Sequence, residues 1–495
     1  MNIYKGKIRT YLPDMISIFT FVCIVYQMLV IIYPVKVFFA RFPFNMFSKG
    51  LCIFGLILIL TDIMTDRIIF NGISMKWVML MILSAVISTI FRANYDRVDN
   101  IKCILWSMVQ MLLIYTLPMR ITKDRQKKLL IHIHSAGCII FIPVLIYMFY
   151  QFVELEHYIN ANGVSQGWFE GRLFGVMDTL YKGASVVAVL LFGSVFLFAV
   201  SKSKMKKAAY LSTIIVFFTY IALSDSRSIY AGCCMALLII IFFDEKLQII
   251  SLLNRVPNLK RFIEGRRRRL VSVFLYIITI TVFAVGIMVI RNGGMELAYN
   301  NVISKYGVEG LEKKIGEGMD IESARNLGRP KQATITSRRV YIWKSYAEII
   351  LDKPSNLLIG LSPEGYDKYI IEHYPESYIV KDFWEYYPLE SIKGNVYGTH
   401  NAYLHVLVAT GILGMVSLLV FLIWFFMATF NGISTKKNRR YEVFLCAIII
   451  MMLTSNFFEG DIFYCTTAMS FLFWLITGIL VKRENNSFKR KIISL

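Results

Sequence analysis

The sequence lacks the residue patterns that several protein classes need. Its eight cysteines all lie in or beside apolar runs and none has the spacing of a metal site, so neither a disulfide framework nor a zinc site is predicted. No small-residue cleavage site follows the first apolar segment, which is therefore predicted to be a retained helix and not a removed signal peptide. No internal repeat and no low-complexity segment is evident.

Charged residues are absent from the middle of each long apolar run. Proton- and ion-coupled transporters usually place ionisable groups there, because the coupling ion passes through that part of the protein. This absence therefore disfavours a transporter.

Apolar residues are abundant: 56% of the 495 residues are hydrophobic and 15% are aromatic. A soluble protein of this size would have too little polar surface to cover such a core, so the composition indicates a membrane protein. The chain is predicted to be an all-α polytopic protein with about twelve transmembrane helices and both termini on one side. The apolar runs lie near residues 15–34, 48–64, 77–91, 101–118, 129–152, 183–200, 207–223, 228–243, 270–290, 401–429, 441–457 and 462–481.

The basic residues fall on one side of this predicted topology. The formal net charge is +21, whereas the largest loop, 291–399, holds 14 Lys/Arg and 15 Asp/Glu and is nearly neutral. Because cytoplasmic loops are enriched in Lys and Arg, both termini are predicted to be cytoplasmic and the large loop to be outside. The basic charge is thus an orientation signal, and no nucleic-acid partner is predicted. The basic segments are 1–14, 119–128, 201–207, 244–269, 431–440 and 482–495.

Three regions follow from this topology. They are the first nine helices in 1–290, the extracytoplasmic loop in 291–399, and the last three helices with a cytoplasmic tail in 400–495. The loop is predicted to be partly helical, because apolar residues recur at helical spacing from Arg339 and a proline follows them. These residues are Val340, Trp343, Ala347, Ile350 and Pro354. A second short helix is predicted from Pro363 to Tyr374.

Polar side chains of four separate segments are predicted at the outer edge of the membrane. Each has an ordinary interpretation: Arg227 as a snorkelling anchor, Arg172 as a loop charge, and His400 as a helix-entry residue with Asn401 as N-cap. The predicted topology places all of them on the same side of the membrane, and only this coincidence favours a cationic, anion-binding site at that edge. The set is Arg172, Lys182, Asp225, Arg227, Arg338, Arg339 and His400.

Three short motifs resemble the O-antigen ligase and Wzy-type polysaccharide polymerase superfamily. They are SDSRSIYAG, RVYIWKSYAEIILDKPSNLLIGLSPEGY and HNAYLHVLVATGILG. The family pattern has Ser-Arg at a helix start, Arg-x-x-x-Trp with a later Pro and Gly in the large loop, and His-Asn-x-x-Leu followed by Gly-x-x-Gly. One departure is the segment Met177 to Lys182, where the family often has an Asn-Pro-Asn-like sequence.

The resemblance implies a metal-independent, inverting glycosyltransferase with a GT-C-like membrane fold and no cofactor. Its substrates would be oligosaccharides on undecaprenyl diphosphate, at the outer face of the bacterial cytoplasmic membrane. The chain is interpreted as a polymerase of a surface polysaccharide, either O-antigen or capsule, with a chain-length regulator and a flippase as candidate protein partners. A ligase that transfers the finished glycan to lipid A-core or protein stays open, because the motifs do not separate the two.

A glycolipid flippase or exporter is the alternative from another class. It would be favoured by a two-fold repeat of the halves and a charged central cavity, and the sequence indicates neither.

The resemblance also implies roles for particular residues. His400 is the expected base for the acceptor hydroxyl, since an imidazole can be neutral near pH 7. Arg227 and Arg339 are expected to bind the diphosphate, whose charge guanidinium groups neutralise without a metal ion. Arg172 and Arg338 are weaker candidates for the same task. Asn401 and Trp343 are the expected supporting residues.

Overall fold

The computed structural model describes residues 2–65, 73–160, 165–169, 171–243, 266–315, 335–386, 392–434 and 440–493. Helices make up most of these residues, as the sequence predicts. Part of the predicted basic segment 244–269 and the middle of the predicted outer loop, 316–334, lie outside the described residues.

The described helices fit a polytopic membrane protein. Nine are long and apolar enough to cross a membrane: Arg9–Leu29, Met46–Thr65, Ser74–Phe91, Arg97–Arg120, Lys123–Val153, Leu180–Val200, Lys204–Ser224, Val273–Leu311 and Ala402–Ile433. The other three predicted spans coincide with shorter helical segments, Arg227–Phe243, Arg440–Ser455 and Ala468–Val481. The multi-pass character is confirmed, while the count of twelve spans stays a prediction.

Contacts between Cα atoms divide the chain into two compact units. The first unit comprises Met1–Ala136, Pro330–Phe430 and Asn456–Leu495, and the second comprises Gly137–Arg329 and Asn431–Ser455. Each unit is described by itself below.

The first unit contains most of the N-terminal helices and the helices of the predicted outer loop. The N-terminal helices are α1 (Asn2–Leu29), α2 (Tyr33–Ala40), α3 (Asn45–Thr65), α4 (Ile73–Phe91), α5 (Arg97–Met108, continued by a π-helical turn Val109–Ile114), α6 (Leu117–Arg120) and the first part of α7 (Lys123–Val153). The others are α12 (Ile335–Asp352), α13 (Pro354–Ile359), α14 (Tyr366–His373), α15 (Tyr378–Tyr386), α16 (Ala402–Ser434) and α18 (Ala468–Ile493).

A buried ion pair joins α3 and α6 in the first unit. The side chains of Asp62 and Arg120 are 0% and 2% exposed, and the guanidinium of Arg120 contacts the carboxylate of Asp62. A buried charge is tolerated when an opposite charge compensates it, whereas removal of one partner leaves an uncompensated ion. This pair therefore holds the end of α3 against the chain that follows the π-helical turn.

Two motif glycines let the end of α13 pack directly on α16. Gly411 (φ 65°) kinks α16, and Gly360 (φ 79°) ends α13. A Cβ on Gly411 would lie 2.4 Å from the carbonyl oxygen of Leu358, so only glycine fits this approach. The kink opens the helix, and the amide of Leu361 donates to the carbonyl of Val408 at 2.7 Å. The family glycines are thus structural.

Helix α12 contains the helix predicted from Arg339, and only some of the apolar residues at helical spacing are buried in it. Val340 is 53% exposed and Ala347 is also exposed. Ile350 is buried, together with Ile342, Tyr346 and Ile349, in a core shared with α14, α15 and α16. Both faces of this helix carry apolar residues, so the packing partners decide which face is buried.

The second unit combines helices with one small sheet. Its helices are the rest of α7, α8 (Leu180–Val200), α9 (Lys204–Ser224), α10 (Arg227–Phe243), α11 (Arg266–Ile315) and α17 (Arg440–Ser455). The strands β1 (His157–Ile159), β2 (Ser165–Phe169) and β3 (Arg172–Gly175) form an antiparallel sheet in the order β1-β2-β3. This sheet departs from the all-α prediction; its strands are short and contain two glycines, so their residues carry little strand signal.

Helix α11 extends beyond the predicted span 270–290. It continues to Ile315 with a kink at Gly307 (φ 69°). The predicted outer loop therefore begins inside a helix. Near the kink, the buried carboxylate of Glu154 contacts the ammonium group of Lys305 and accepts from the amide of Asn301. These contacts attach α11 to the end of α7.

Candidate active site

A carboxylate joins two of the predicted site residues in the first unit. Glu459 Oε1 accepts from Nη2 of Arg339 at 2.7 Å, and its Oε2 lies 3.6 Å from Nδ1 of His400. The exposed fractions of the side chains are 17% for Glu459, 23% for Arg339 and 42% for His400. The carboxylate is thus largely shielded, while the imidazole stays accessible from one side.

The backbone presents His400 in a strained conformation. Its φ is 45°, in the left-handed region that costs a residue with a Cβ about 1–2 kcal/mol. Such strain persists only where neighbouring contacts enforce it, and it is common at functional sites. On one side, Trp343 Nε1 donates to the carbonyl oxygen of Thr399 at 2.9 Å. On the other side, Asn401 begins α16.

Asn401 is the N-cap of α16, as predicted. Its Oδ1 accepts from the amides of Tyr403 at 2.9 Å and Leu404 at 3.0 Å. These are the second and third residues of the helix, whose amides have no partner within the helix. The cap fixes the helix start, and His400 is held immediately before it.

The loop that carries Glu459 is fixed by a buried asparagine. Asn456 is fully buried, its Oδ1 accepts from the amide of Asp461 at 2.8 Å, and its carbonyl accepts from the amide of Ala402 at 2.9 Å. The hydroxyl of Thr467 donates to the carbonyl of Asp461 at 2.7 Å. This network ties the Glu459 loop to the same helix start that carries His400.

Aromatic rings surround the Glu459 loop. Phe458 lies 5.8 Å from the Arg339 guanidinium and 6.5 Å from the ring of Trp343. Phe457 lies 5.7 Å from Trp343 and 6.3 Å from Tyr403. Trp343, predicted as a supporting residue, therefore contacts both the His400 segment and this loop.

Arg338 points to a different neighbourhood from Arg339. It interacts with the hydroxyl of Tyr378 on α15, whose ring stacks on that of Tyr397 at 6.3 Å. Tyr397 in turn donates to Asp382 at 2.9 Å. Adjacent residues on a helix point about 100° apart. The structure therefore brings Arg339, and not Arg338, to Glu459.

A second cationic cluster lies in the second unit, where α9 ends and α10 begins. Arg227 begins α10, as the motif predicts, and Asp225 ends α9 in a left-handed conformation (φ 45°). The carboxylate of Asp225 lies 3.5 Å from the guanidinium of Arg291 on α11. The hydroxyl of Tyr230 interacts electrostatically with the charges of Asp225, Arg291 and Arg172. Arg172, on β3, therefore belongs to this cluster.

Arg227 has hydrogen-bonding capacity that its described surroundings do not use. Its Nε and Nη2 atoms are buried and have no hydrogen-bond partner among the described residues. A buried guanidinium donor without an acceptor is costly, so the geometry favours an anionic acceptor at this position. The segment from Met177 to Lys182, which departs from the family pattern, makes local contacts: Thr179 caps α8, and Lys182 forms an ion pair with Asp178 at 3.6 Å.

Two charged residues of these clusters were not predicted as site residues. Glu459 lies in a four-residue interval between predicted spans, and Arg291 directly follows another span, where a charge usually marks a membrane boundary. Neither belongs to a motif, so the sequence carried no signal for them. Among the described residues, no group of three or more His, Cys, Asp or Glu side chains is arranged to hold a metal ion.

The fold and these clusters define a multi-pass helical membrane protein with two separate groups of cationic side chains. Residues 211–419 match the model of the family described as O-antigen ligase. The resemblance to the O-antigen ligase superfamily is thereby confirmed for this part of the chain. Searches of the curated proteins and of the solved structures found no match. The matched range contains Arg227, Arg339 and His400, whereas Arg172 and Glu459 lie outside it.

Proposed function

We propose that the protein transfers a glycan from undecaprenyl diphosphate to a hydroxyl group of another saccharide, at the outer face of the cytoplasmic membrane. In the version we favour, the acceptor is a second lipid-linked repeat unit, and the product is a longer surface polysaccharide. The family match supports glycan transfer in polysaccharide synthesis. The arrangement of Glu459 between Arg339 and His400 is the observation that carries the proposal.

The chemistry assigns each group of this arrangement a task. The acceptor hydroxyl gives its proton to Nε2 of His400 while its oxygen bonds to the anomeric carbon of the donor glycan. The bond from that carbon to the diphosphate oxygen breaks, the electron pair leaves with the diphosphate, and the anomeric configuration inverts. A carboxylate beside Nδ1 favours the tautomer with its proton on Nδ1 and stabilises the imidazolium that forms. Glu459 occupies that position.

Arg339 has a double role in this proposal. Its contact with Glu459 uses Nη2 and orients the carboxylate. A guanidinium group has five donors, so the same side chain also serves the leaving diphosphate. Lysine at this position would keep the charge but lose the planar fork.

In the second unit, we assign diphosphate binding to Arg227 and Arg172. Arg227 has the buried donors without a described acceptor, and Arg172 shares the cluster with Arg291. Fixed cations stabilise the charge that develops on a departing diphosphate, which is often the largest electrostatic contribution to catalysis. Arg338 stays a weaker candidate, because its described contact is with Tyr378.

The experiment that tests the function is a glycan profile of a deletion strain. The gene is removed and replaced by the wild type, by His400→Gln or by Glu459→Gln, and both surface glycan and lipid-linked intermediates are sized. A polymerase predicts loss of long chains and accumulation of single repeat units on the lipid. An unattached full-length polymer would instead indicate a ligase. Lipid-linked units trapped on the cytoplasmic face would favour an exporter and contradict glycan transfer.

A further inference from the structure

Phe457 is an exposed aromatic residue at the edge of the candidate active site. Its side chain is 48% exposed, although it lies in a loop that hydrogen bonds hold at both ends. It is two residues from Glu459 in the chain. Packing in a hydrophobic core therefore does not explain a phenylalanine at this position, next to the polar groups of the candidate site.

The neighbouring rings support Phe457 without stacking on it. Trp343 meets it at an interplanar angle of 81° and Phe458 at 79°, with ring centres 5.7 Å and 5.3 Å away. Tyr403, the second residue of α16, is tilted by 48° at 6.3 Å. Among the described residues, no ring lies parallel to Phe457. The surrounding aromatics therefore fix the ring while leaving about half of the side chain accessible.

We propose that Phe457 is a stacking platform for the pyranose ring of the acceptor saccharide. The axial C–H bonds of a pyranose form an apolar, weakly positive face that complements the negative face of an aromatic ring. The hydroxyl groups at the rim of the sugar need polar partners; Glu459 belongs to the same loop, and His400 lies next to Glu459. The inference rests on the proposed function and specifies how that site binds its acceptor.

The alternative role for an exposed phenylalanine in a membrane protein is anchoring at the bilayer surface. Phe91 offers a matched control for that role, because it ends α4 in the same unit and is 68% exposed. A bilayer anchor affects the stability and insertion of the protein, but it has no reason to alter the affinity for one of two substrates. A platform does alter that affinity.

The test compares Phe457→Leu, Phe457→Met and Phe457→Trp with wild type and Phe91→Leu. In a transfer assay with lipid-linked glycan from the source strain, the leucine and methionine variants should raise KM for the acceptor about 3- to 10-fold. Phe457→Trp should stay near wild type, because it keeps a flat ring. Two non-aromatic variants are used so that a folding defect in one does not decide the outcome.

A binding measurement separates this inference from the proposed function. The repeat-unit oligosaccharide, released from its lipid by mild acid, is added to the purified protein, and saturation transfer to its C–H protons is recorded by NMR. Transfer should be strong for wild type and Phe457→Trp, and weak for Phe457→Leu. Equal transfer in all variants, or an equal rise in acceptor KM for Phe91→Leu, would overturn the platform. If the wild type binds this oligosaccharide but transfers no glycan, the proposed function fails while the platform stands.

Discussion

Oε2 of Glu459 lies 3.6 Å from Nδ1 of His400. The opposite nitrogen of the ring, Nε2, is thereby available to a substrate hydroxyl. Because Arg339 holds the other oxygen of the same carboxylate, the three side chains form one connected group.

This connection predicts the effect of neutralising Glu459. Glu459→Gln keeps the shape but removes the charge that stabilises the imidazolium, so turnover should fall by about 10- to 10⁴-fold, the upper value being that of the carboxylate in a Ser-His-Asp triad. Glu459→Asp should be intermediate. The measurement is the initial rate of glycan transfer by purified protein at saturating donor and acceptor. A Glu459→Gln enzyme with the wild-type rate would show that the carboxylate has no part in catalysis.

The two adjacent arginines of α12 should differ sharply. Arg339→Lys removes a directed hydrogen bond to a charged partner and should lower kcat/KM at least about tenfold. Arg338→Ala should stay within about twofold, since Arg338 interacts with Tyr378 and not with Glu459. Both variants are assayed together at equal membrane abundance. Equal losses in the two variants would assign Arg339 to anchoring and contradict its placement in the site.

The cluster in the second unit predicts a specific response to diphosphate. Arg227→Ala and Arg172→Ala should each weaken binding of farnesyl diphosphate about tenfold or more, because each removes a charged donor. Lys305→Ala is the matched control, since its ammonium group belongs to the separate Glu154 contact of the same unit. Binding is measured by calorimetry on purified protein in detergent. An unchanged Kd for Arg227→Ala would contradict diphosphate binding at this helix start.

Two neighbouring acidic residues at the start of α14, Glu364 and Asp367, predict that stability depends on pH. Desolvation by the surrounding protein, reinforced by the negative charges of Asp99 and Asp96, raises the pKa of Glu364 from 4.5 to about 7. Burial, reinforced by the nearby Glu364 carboxyl, raises the pKa of Asp367 from 3.8 to about 8. Between pH 4 and pH 8 the unfolded chain has lost these protons while the folded protein still holds them. The free energy of unfolding should therefore fall as pH rises through this window and level off above it.

Thermal unfolding of the purified protein between pH 5 and pH 9 measures this dependence. Wild type should lose stability steadily up to about pH 8, and the double variant Glu364→Gln, Asp367→Asn should show a flatter profile. A wild-type profile that rises with pH over this range would contradict the shifted pKa values.

Much of the fold follows from local patterns in the sequence. The apolar runs specify the helices, because a segment placed in the membrane or in the protein core must form its backbone hydrogen bonds within itself. Local chemistry also specifies the cap at Asn401 and the start of α10 at Arg227, since both depend on residues within one helical turn. These features need no information from distant parts of the chain.

The site itself depends on long-range partners, which periodicity does not encode. Arg339 and Glu459 are 120 residues apart in the chain, and their contact arises from the folding of three separate segments. Long-range packing also decides which residues of α12 are buried. Val340 and Ile342 are both β-branched apolar residues, and only the core against α14, α15 and α16 decides that Ile342 is the buried one.

The rate of the His400→Gln variant tests the central claim most directly. Glutamine can hydrogen-bond the acceptor hydroxyl but cannot take up its proton, so turnover should fall about 10²–10⁴-fold, the usual contribution of general base catalysis. Binding of farnesyl diphosphate and the thermal stability should stay at wild-type values, and unextended lipid-linked units should accumulate in cells. A purified His400→Gln protein that transfers glycan at near the wild-type rate would contradict the assignment of His400 as the base.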